Sequence, residues 1–192
     1  MTRQLKELLL QSLMHERGGV LVYKTALACA LNKDLRAEWT KYLAQTQKHV
    51  QVLTGVCARL GLDPDATTPG TQIVQHNGKA LVIAMQMALA EADPAAAELT
   101  ACECVVLAET KDHADWQLIG ACAKELEGET AETLRTAYEE IATEEDEHLG
   151  HTQGWCRELW LKSLGFKSML PPPEGRRNVK HAASAEDSRK SR

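Results

Sequence analysis

The amino-acid sequence predicts an all-α protein, on three observations. Apolar residues make up 44% of the 192 positions, yet only one Phe and three Tyr are among them, and the abundant Ala, Leu, Glu, Lys and Gln are strong helix formers. Apolar residues recur with a helical period in four long segments. The six prolines lie outside those segments, at Pro64, Pro69, Pro94 and Pro171 to Pro173. The chain is long enough for one domain with a hydrophobic core, which we place at residues 1–166.

The first helix is predicted over residues 2–31. Its central stripe follows the a and d positions of a heptad repeat, and Glu16 lies in the middle of it with Gly18 and Gly19 alongside. After the short turn at 32–34, Asp34 is expected to cap the next helix. The stripe consists of Leu5, Leu9, Ser12, Glu16, Gly19, Tyr23, Ala26 and Ala30.

The second helix is predicted over residues 35–60, with His49 at the centre of its stripe. Gly61 suits the position just after a helix, and Asp63-Pro64 supports an end there. A loop is expected over residues 62–77. The stripe consists of Leu35, Trp39, Tyr42, Thr46, His49, Leu53, Val56 and Leu60.

A short apolar helix at about 79–92 is predicted next, followed by two more long helices. Asp93 and Pro94 suit the cap and the first position of a helix running to about 127. The last long helix is expected over residues 129–164, ending at Gly165. The two long stripes are Leu99, Cys102, Val106, Glu109, His113, Trp116, Gly120 and Ala123, then Leu134, Tyr138, Ile141, Glu145, His148, Thr152, Trp155 and Leu159.

Glu145 and His148 form a polar pair inside the last apolar stripe. Their i, i+3 spacing puts both on one helix face, and an unpaired buried charge costs several kcal/mol. They therefore need partners in the interior, unless the pair lies on a wet surface, as the flanking Glu144, Asp146 and Glu147 would suit.

Those partners are predicted by the short turns near residues 33 and 128. Each turn makes an antiparallel hairpin, in which residues equidistant from the turn lie at one level. Glu16 is then level with His49, and Glu109 is level with position 147, between Glu145 and His148. The connection over 62–93 is long enough to cross the molecule, which predicts a four-helix bundle of ferritin-like arrangement with a long crossover that carries the short helix.

These features resemble the ferritin-like superfamily, which includes bacterioferritins, rubrerythrins, manganese catalases and smaller bacterial ferritin-like stress proteins. The resemblance covers residues 2–164, and the segment LAQTQKHVQVL reads much like the second helix of the stress proteins. The family binds two iron or manganese ions with one Glu from each of two helices and Glu-x-x-His from each of the other two. By position, the resemblance implies the metal ligands Glu16, His49, Glu109, Glu145 and His148.

One position departs from the family pattern. Thr46 stands where the resemblance expects the Glu that bridges the two metals, so the site could hold one metal, hold an altered pair, or have lost its metals. Gln45 and Glu38 lie near enough in sequence to take part of that role, and Glu103 is the rival to Glu109. Side chains expected to support the ligands are Thr46, Gln45, His113, Asp112, Tyr23, Tyr42 and Tyr138, with core packing as the alternative for the tyrosines.

Carboxylate and imidazole donors suit iron, manganese or zinc. The expected function is a metal-binding protein that acts on iron, dioxygen or peroxide, as a ferrous oxidase or a peroxide-disproportionating oxidoreductase. The catalytic residues are not assigned. The alternative is a non-catalytic helical protein with a stress or assembly role and a degenerate or single-metal site, supported by Thr46. The sequence lacks the cysteine knuckle with which rubrerythrins carry their own electron donor.

The six cysteines lie inside helical patterns without a CxxC motif, which favours free buried thiols in a reducing cytosol. No signal peptide or membrane span is predicted, so a cytoplasmic protein is expected. Residues 171–192 carry six Lys or Arg against three Asp or Glu. The tail from 167 is therefore expected to be basic and extended or disordered, with DNA contact as the weaker alternative. A homodimer is expected because the short helix is apolar on most sides.

Overall fold

The computed structural model describes residues 1–91 and 93–176, and this part of the chain is all-helical. The five α-helices are α1 (Arg3–Cys29), α2 (Lys33–Arg59), α3 (Pro69–Glu91), α4 (Pro94–Glu125) and α5 (Gly128–Ser163). A short 3₁₀ helix, Pro173–Arg176, follows. The four long helices therefore match the predicted segments to within two residues at each end.

Helix ends follow the expected capping chemistry, with one exception. The Asp93 side chain accepts hydrogen bonds from the backbone N–H groups that open α4, and Pro94 takes the first position. Gly61 follows α2 with φ +67°. The predicted cap Asp34 is wrong: Asn32 caps α2 by accepting from the backbone N of Asp34 and of Leu35. Asn serves as well as Asp at this position, so the turn could close two residues earlier.

The predicted loop over 62–77 is too long, because α3 already begins at Pro69. Thr68 starts the helix: its hydroxyl accepts from the Thr71 backbone N at 3.1 Å, and proline suits the first helical position. A Cβ added at Gly78 would lie 3.7 Å from the Cα of Gly18. The two glycines let α3 approach α1 closely, and this packing stabilises helix in a segment of weak local propensity.

Two apolar core clusters lie between α1, α2, α4 and α5, one toward each end of these helices. The first contains Tyr23, Trp39, Tyr42, Cys102 and Trp155. The second contains Leu9, Leu13, Leu53, Trp116 and Leu134. Along each of the four helices, the polar stripe residues fall between these two sets. Helix α3 packs on α1 and α4 and leaves Ile73, Ile83 and Met87 exposed.

The chain after α5 turns back along that helix. The Met169 backbone N donates to Glu158 Oε2 at 2.7 Å, and Arg157 donates to both carboxylate oxygens of Glu174. The first residues of the predicted tail therefore contact α5, and residues 177–192 lie outside the described part. Among the described helices, none combines the length and apolar character required to cross a membrane.

Candidate metal centre

Five side chains predicted as ligands meet in the interior between the two apolar clusters. All five are almost fully buried; the most exposed, Glu109, has only 3% of its surface accessible. They form two groups of three, in which each residue offers one donor atom within 4.8 Å of the others: Glu16, His49 and Glu145, and Glu109, Glu145 and His148. Glu145 belongs to both groups, so its carboxylate lies between two potential metal positions.

The first group joins α1, α2 and α5. His49 Nδ1 lies 2.9 Å from Glu145 Oε1 and 3.3 Å from Glu16 Oε1. Glu16 and His49 are the residues that the first hairpin places at one level. The contact between them follows from that register.

The second group joins α4 and α5. His148 Nδ1 lies 3.5 Å from Glu109 Oε2 and 3.6 Å from Glu145 Oε1. The imidazoles of His49 and His148 are nearly parallel, with ring centroids 5.6 Å apart. Each group thus presents one imidazole nitrogen and two carboxylates, one of which is shared.

The outward nitrogen of each histidine contacts a residue on the opposite helix. His49 Nε2 lies 2.9 Å from Glu144 Oε2 on α5, and His148 Nε2 lies 3.1 Å from Gln45 Oε1 on α2. When each Nε2 carries its hydrogen and donates it to these oxygens, Nδ1 is left free to bind a cation. Such partners orient metal-binding histidines in proteins.

The outer carboxylates are each held by one aromatic donor. The Tyr23 hydroxyl donates to Glu109 Oε1 and Trp116 Nε1 donates to Glu16 Oε1, both at 2.7 Å. Among the atoms of the five predicted ligands, those without an aligned hydrogen bond to a described residue are Glu16 Oε2, Glu109 Oε2, both oxygens of Glu145 and the Nδ1 atoms of His49 and His148. Buried polar atoms are nearly always satisfied, and these converge on one place. A pair of bound cations would satisfy them all, so the donor set fits the implied metals.

Without a metal, the charges of the group shift its pKa values strongly. Burial would lower the pKa of His49, but Glu145 and Glu16 raise it to about 11. Burial raises the pKa of Glu145 to about 7, although His49 and His148 act in the opposite direction. Burial would also raise the pKa of Glu109, but His148 lowers it below its usual range. In the metal-free protein, protons shared between the histidines and carboxylates therefore offset the buried negative charge, and a bound cation would displace them.

Thr46 and Asp112 flank the centre. Thr46 is buried on the stripe of α2, and a Cβ added at Gly19 would lie 3.2 Å from its Cγ2. Asp112 is buried on α4, and its Oδ1 lacks a hydrogen bond among the described residues. Burial and the charges of Glu16, Glu145 and Glu109 raise the pKa of Asp112, which puts a fourth carboxyl group near the cluster.

Of the other side chains predicted to support the ligands, some lie next to the donor groups and others lie away from them. The Tyr42 ring packs on His148 at a centroid distance of 4.2 Å, while its hydroxyl donates to Glu38. His113 lies instead at a half-buried position where it contacts Gln117 and Asp146. Tyr138 packs against Gly120 of α4, away from the donor groups.

The rival Glu103 also lies elsewhere, because it accepts a hydrogen bond from Trp160 at an exposed position. Glu38 accepts from Tyr42 and Trp155 and contacts His151 at 2.7 Å. It belongs to a network beside the centre and is absent from both donor groups.

Two residues at the centre were not predicted from the sequence. Glu144 reads as a solvent-facing neighbour of Glu145, yet it contacts His49 Nε2. Trp116 reads as core, yet its indole N–H holds Glu16. Trp116 was on the predicted stripe two turns from Glu109, but it lies on α4 and Glu16 lies on α1, and the level-matching paired only helices that a short turn joins.

Comparisons with protein-family models, with curated proteins and with solved structures found no match. The assignment of function therefore depends on the chemistry of the chain itself.

Proposed function

We propose that this protein is a ferritin-like four-helix metalloprotein whose centre binds two iron or manganese ions and reacts with dioxygen or peroxide. The observation that carries the proposal is the pair of buried donor groups that share Glu145. Three carboxylates and two imidazoles in an apolar interior suit these metals. The long helix α3, which connects α2 to α4, matches the crossover of this arrangement.

Bound iron or manganese would supply the redox chemistry, since two neighbouring ions can change valence together. The residues of the chain do the rest. Glu16 with His49 would hold one ion, Glu109 with His148 would hold the other, and Glu145 would bridge them. Glu144 and Gln45 fix the two imidazoles, and the apolar clusters on either side exclude bulk water.

The missing carboxylate at Thr46 is consistent with an altered pair of metals. A ferritin-like centre with the full pattern has a second bridging Glu, and here Thr46 packs against Gly19 in its place. Asp112 supports the proposal, because its buried carboxyl group lies close enough to Glu16, Glu145 and Glu109 for their charges to raise its pKa. If a cation displaced the proton of Asp112, this carboxylate and those of Glu16, Glu109 and Glu145 would together balance the charge of two divalent cations.

Metal analysis of protein purified without chelator tests the proposal. About two equivalents of iron or manganese are expected, with loss in His148→Ala and Glu109→Ala. His113→Ala is the matched control, since it removes a histidine of the same region outside the donor groups and should retain the metal.

A metal-free protein that stays helical and takes up neither metal would refute the proposal and favour the non-catalytic alternative. If the metal is present, oxygen consumption with ferrous iron indicates an oxidase. Oxygen evolution from peroxide indicates disproportionation.

A further inference from the structure

A pair of cysteines on α4 and α5 stands apart from the metal centre. Cys102 is fully buried, and its Sγ lies 3.9 Å from the carbonyl oxygen of Thr152. In an α-helix that carbonyl accepts from the backbone N–H four residues on, which belongs to Cys156. Cys102 therefore lies against the turn of α5 that carries Cys156, and both pack in the same core cluster.

The two thiols have unequal surroundings. The Cys156 side chain is half-buried, whereas Cys102 is inaccessible. The Cys102 S–H group lowers the pKa of Cys156, while the same contact, together with burial, raises the pKa of Cys102. A more accessible thiolate beside a buried thiol is the arrangement of a reactive cysteine with a second cysteine that resolves it.

The remaining cysteines lack these properties. Burial raises the pKa values of Cys29, Cys57 and Cys104, which makes them inert toward oxidants. Cys122 resembles Cys156 in its half-buried position on the edge of the core, but it lies at the other end of the molecule. It offers a matched comparison within the same chain.

We propose that Cys102 and Cys156 form a peroxide-oxidised dithiol that closes into a disulfide between α4 and α5. The Cys156 thiolate sulfur attacks one peroxide oxygen, the O–O bond breaks, and Cys156 becomes a sulfenic acid while hydroxide leaves. The hydroxide takes the Cys102 proton and becomes water. The Cys102 thiolate then attacks the Cys156 sulfur, the S–S bond forms, the S–O bond breaks, and the second oxygen leaves as water after taking a proton from solvent. Two thiols lose two electrons and the peroxide gains them.

The full reduced protein, treated with chelator to exclude metal-catalysed oxidation, is exposed to a few equivalents of hydrogen peroxide, alkylated and digested with a glutamate-specific protease. Cleavage at Glu103 separates Cys102 from Cys104. The expected product is a disulfide-linked pair of peptides, 99–103 with 148–158, lighter by two hydrogens and split by a reductant. Cys122 should stay reduced in peroxide and therefore be recovered as the alkylated residue.

Two variants and one control variant extend the test. Cys102→Ser should accumulate a sulfenic acid at Cys156 that a 1,3-diketone traps, whereas Cys156→Ser should lose the disulfide. Cys122→Ser should behave as the wild type. The proposal is overturned if Cys122 is oxidised as fast as Cys156 in the wild type, or if Cys156 is oxidised to the sulfinic acid without linkage to Cys102. The wild-type result alone decides this, whatever the stability of the variants.

Discussion

Replacing the shared carboxylate by an amide, Glu145→Gln, should have opposite effects on the metal-free and the metal-loaded protein. Burial raises the pKa of Glu145 to about 7, so the ionised carboxylate is unfavourable in the folded state. Gln keeps the size of the side chain and cannot ionise. The metal-free variant should therefore be more stable than the wild type at alkaline pH, although a ligand has been lost.

The magnitude follows from linkage between protonation and folding. When the pKa of a carboxyl group is higher in the folded state than in the unfolded state, the protein loses stability as the pH rises from the unfolded pKa to the folded pKa. Each pKa unit corresponds to about 1.4 kcal/mol, so the rise from 4.5 to about 7 costs the metal-free protein about 3 kcal/mol above pH 7. In a chain of this size that is roughly 6–12 °C in midpoint temperature.

Thermal unfolding with chelator, at about pH 8 and about pH 4, measures this effect. The gain of Glu145→Gln should be present at the higher pH and absent at the lower one. Added metal should raise the midpoint of the wild type and leave the variant unchanged. Glu147→Gln, two residues along α5 in a surface ion pair with Lys41, is the control and should change little. A metal-free Glu145→Gln variant less stable than the wild type at pH 8 would refute the reasoning.

Two further predictions concern the centre and the packing. Metal affinity should rise by about tenfold per pH unit for each proton that the ion displaces. The ion displaces the proton held by His49, whose pKa is about 11, and below about pH 7 it also displaces the proton of Glu145. Manganese titrations between pH 6 and 8 that give a constant affinity would contradict this. Gly120→Ala should destabilise the protein by about 1–3 kcal/mol in urea unfolding, since the new methyl group would lie 2.7 Å from the Tyr138 ring. Gly55→Ala, whose new methyl group would meet nothing within 4 Å, is the control and should stabilise α2 slightly. Equal changes in stability at both positions would show that the contact between Gly120 and the Tyr138 ring does not determine the cost of the substitution.

The long helices and the contact between Glu16 and His49 were predictable from the sequence for one physical reason. A heptad stripe and a short turn fix both the face and the level of each residue. Those two quantities are enough to bring a carboxylate and an imidazole on consecutive helices together. The same reasoning placed Glu109 beside His148.

The reasoning was less accurate where a helix has more than one neighbour. Helix α4 packs against α3 as well as α1 and α5, so Asp112 and Asp115 are buried while His113, on the predicted stripe, faces half outward. A single stripe does not describe a helix buried on several sides. Similarly, the close approach of α3 to α1 at Gly18 and Gly78, which stabilises helix before residue 79, is a contact between distant segments that local sequence does not reveal.

Crystallography with anomalous scattering on protein loaded with manganese or iron tests the central claim most directly. Two anomalous peaks are expected, one bound by Glu16 and His49 and the other by Glu109 and His148, with the carboxylate of Glu145 between them. No peak at this position, or a single ion bound without Glu145, would contradict the two-metal centre.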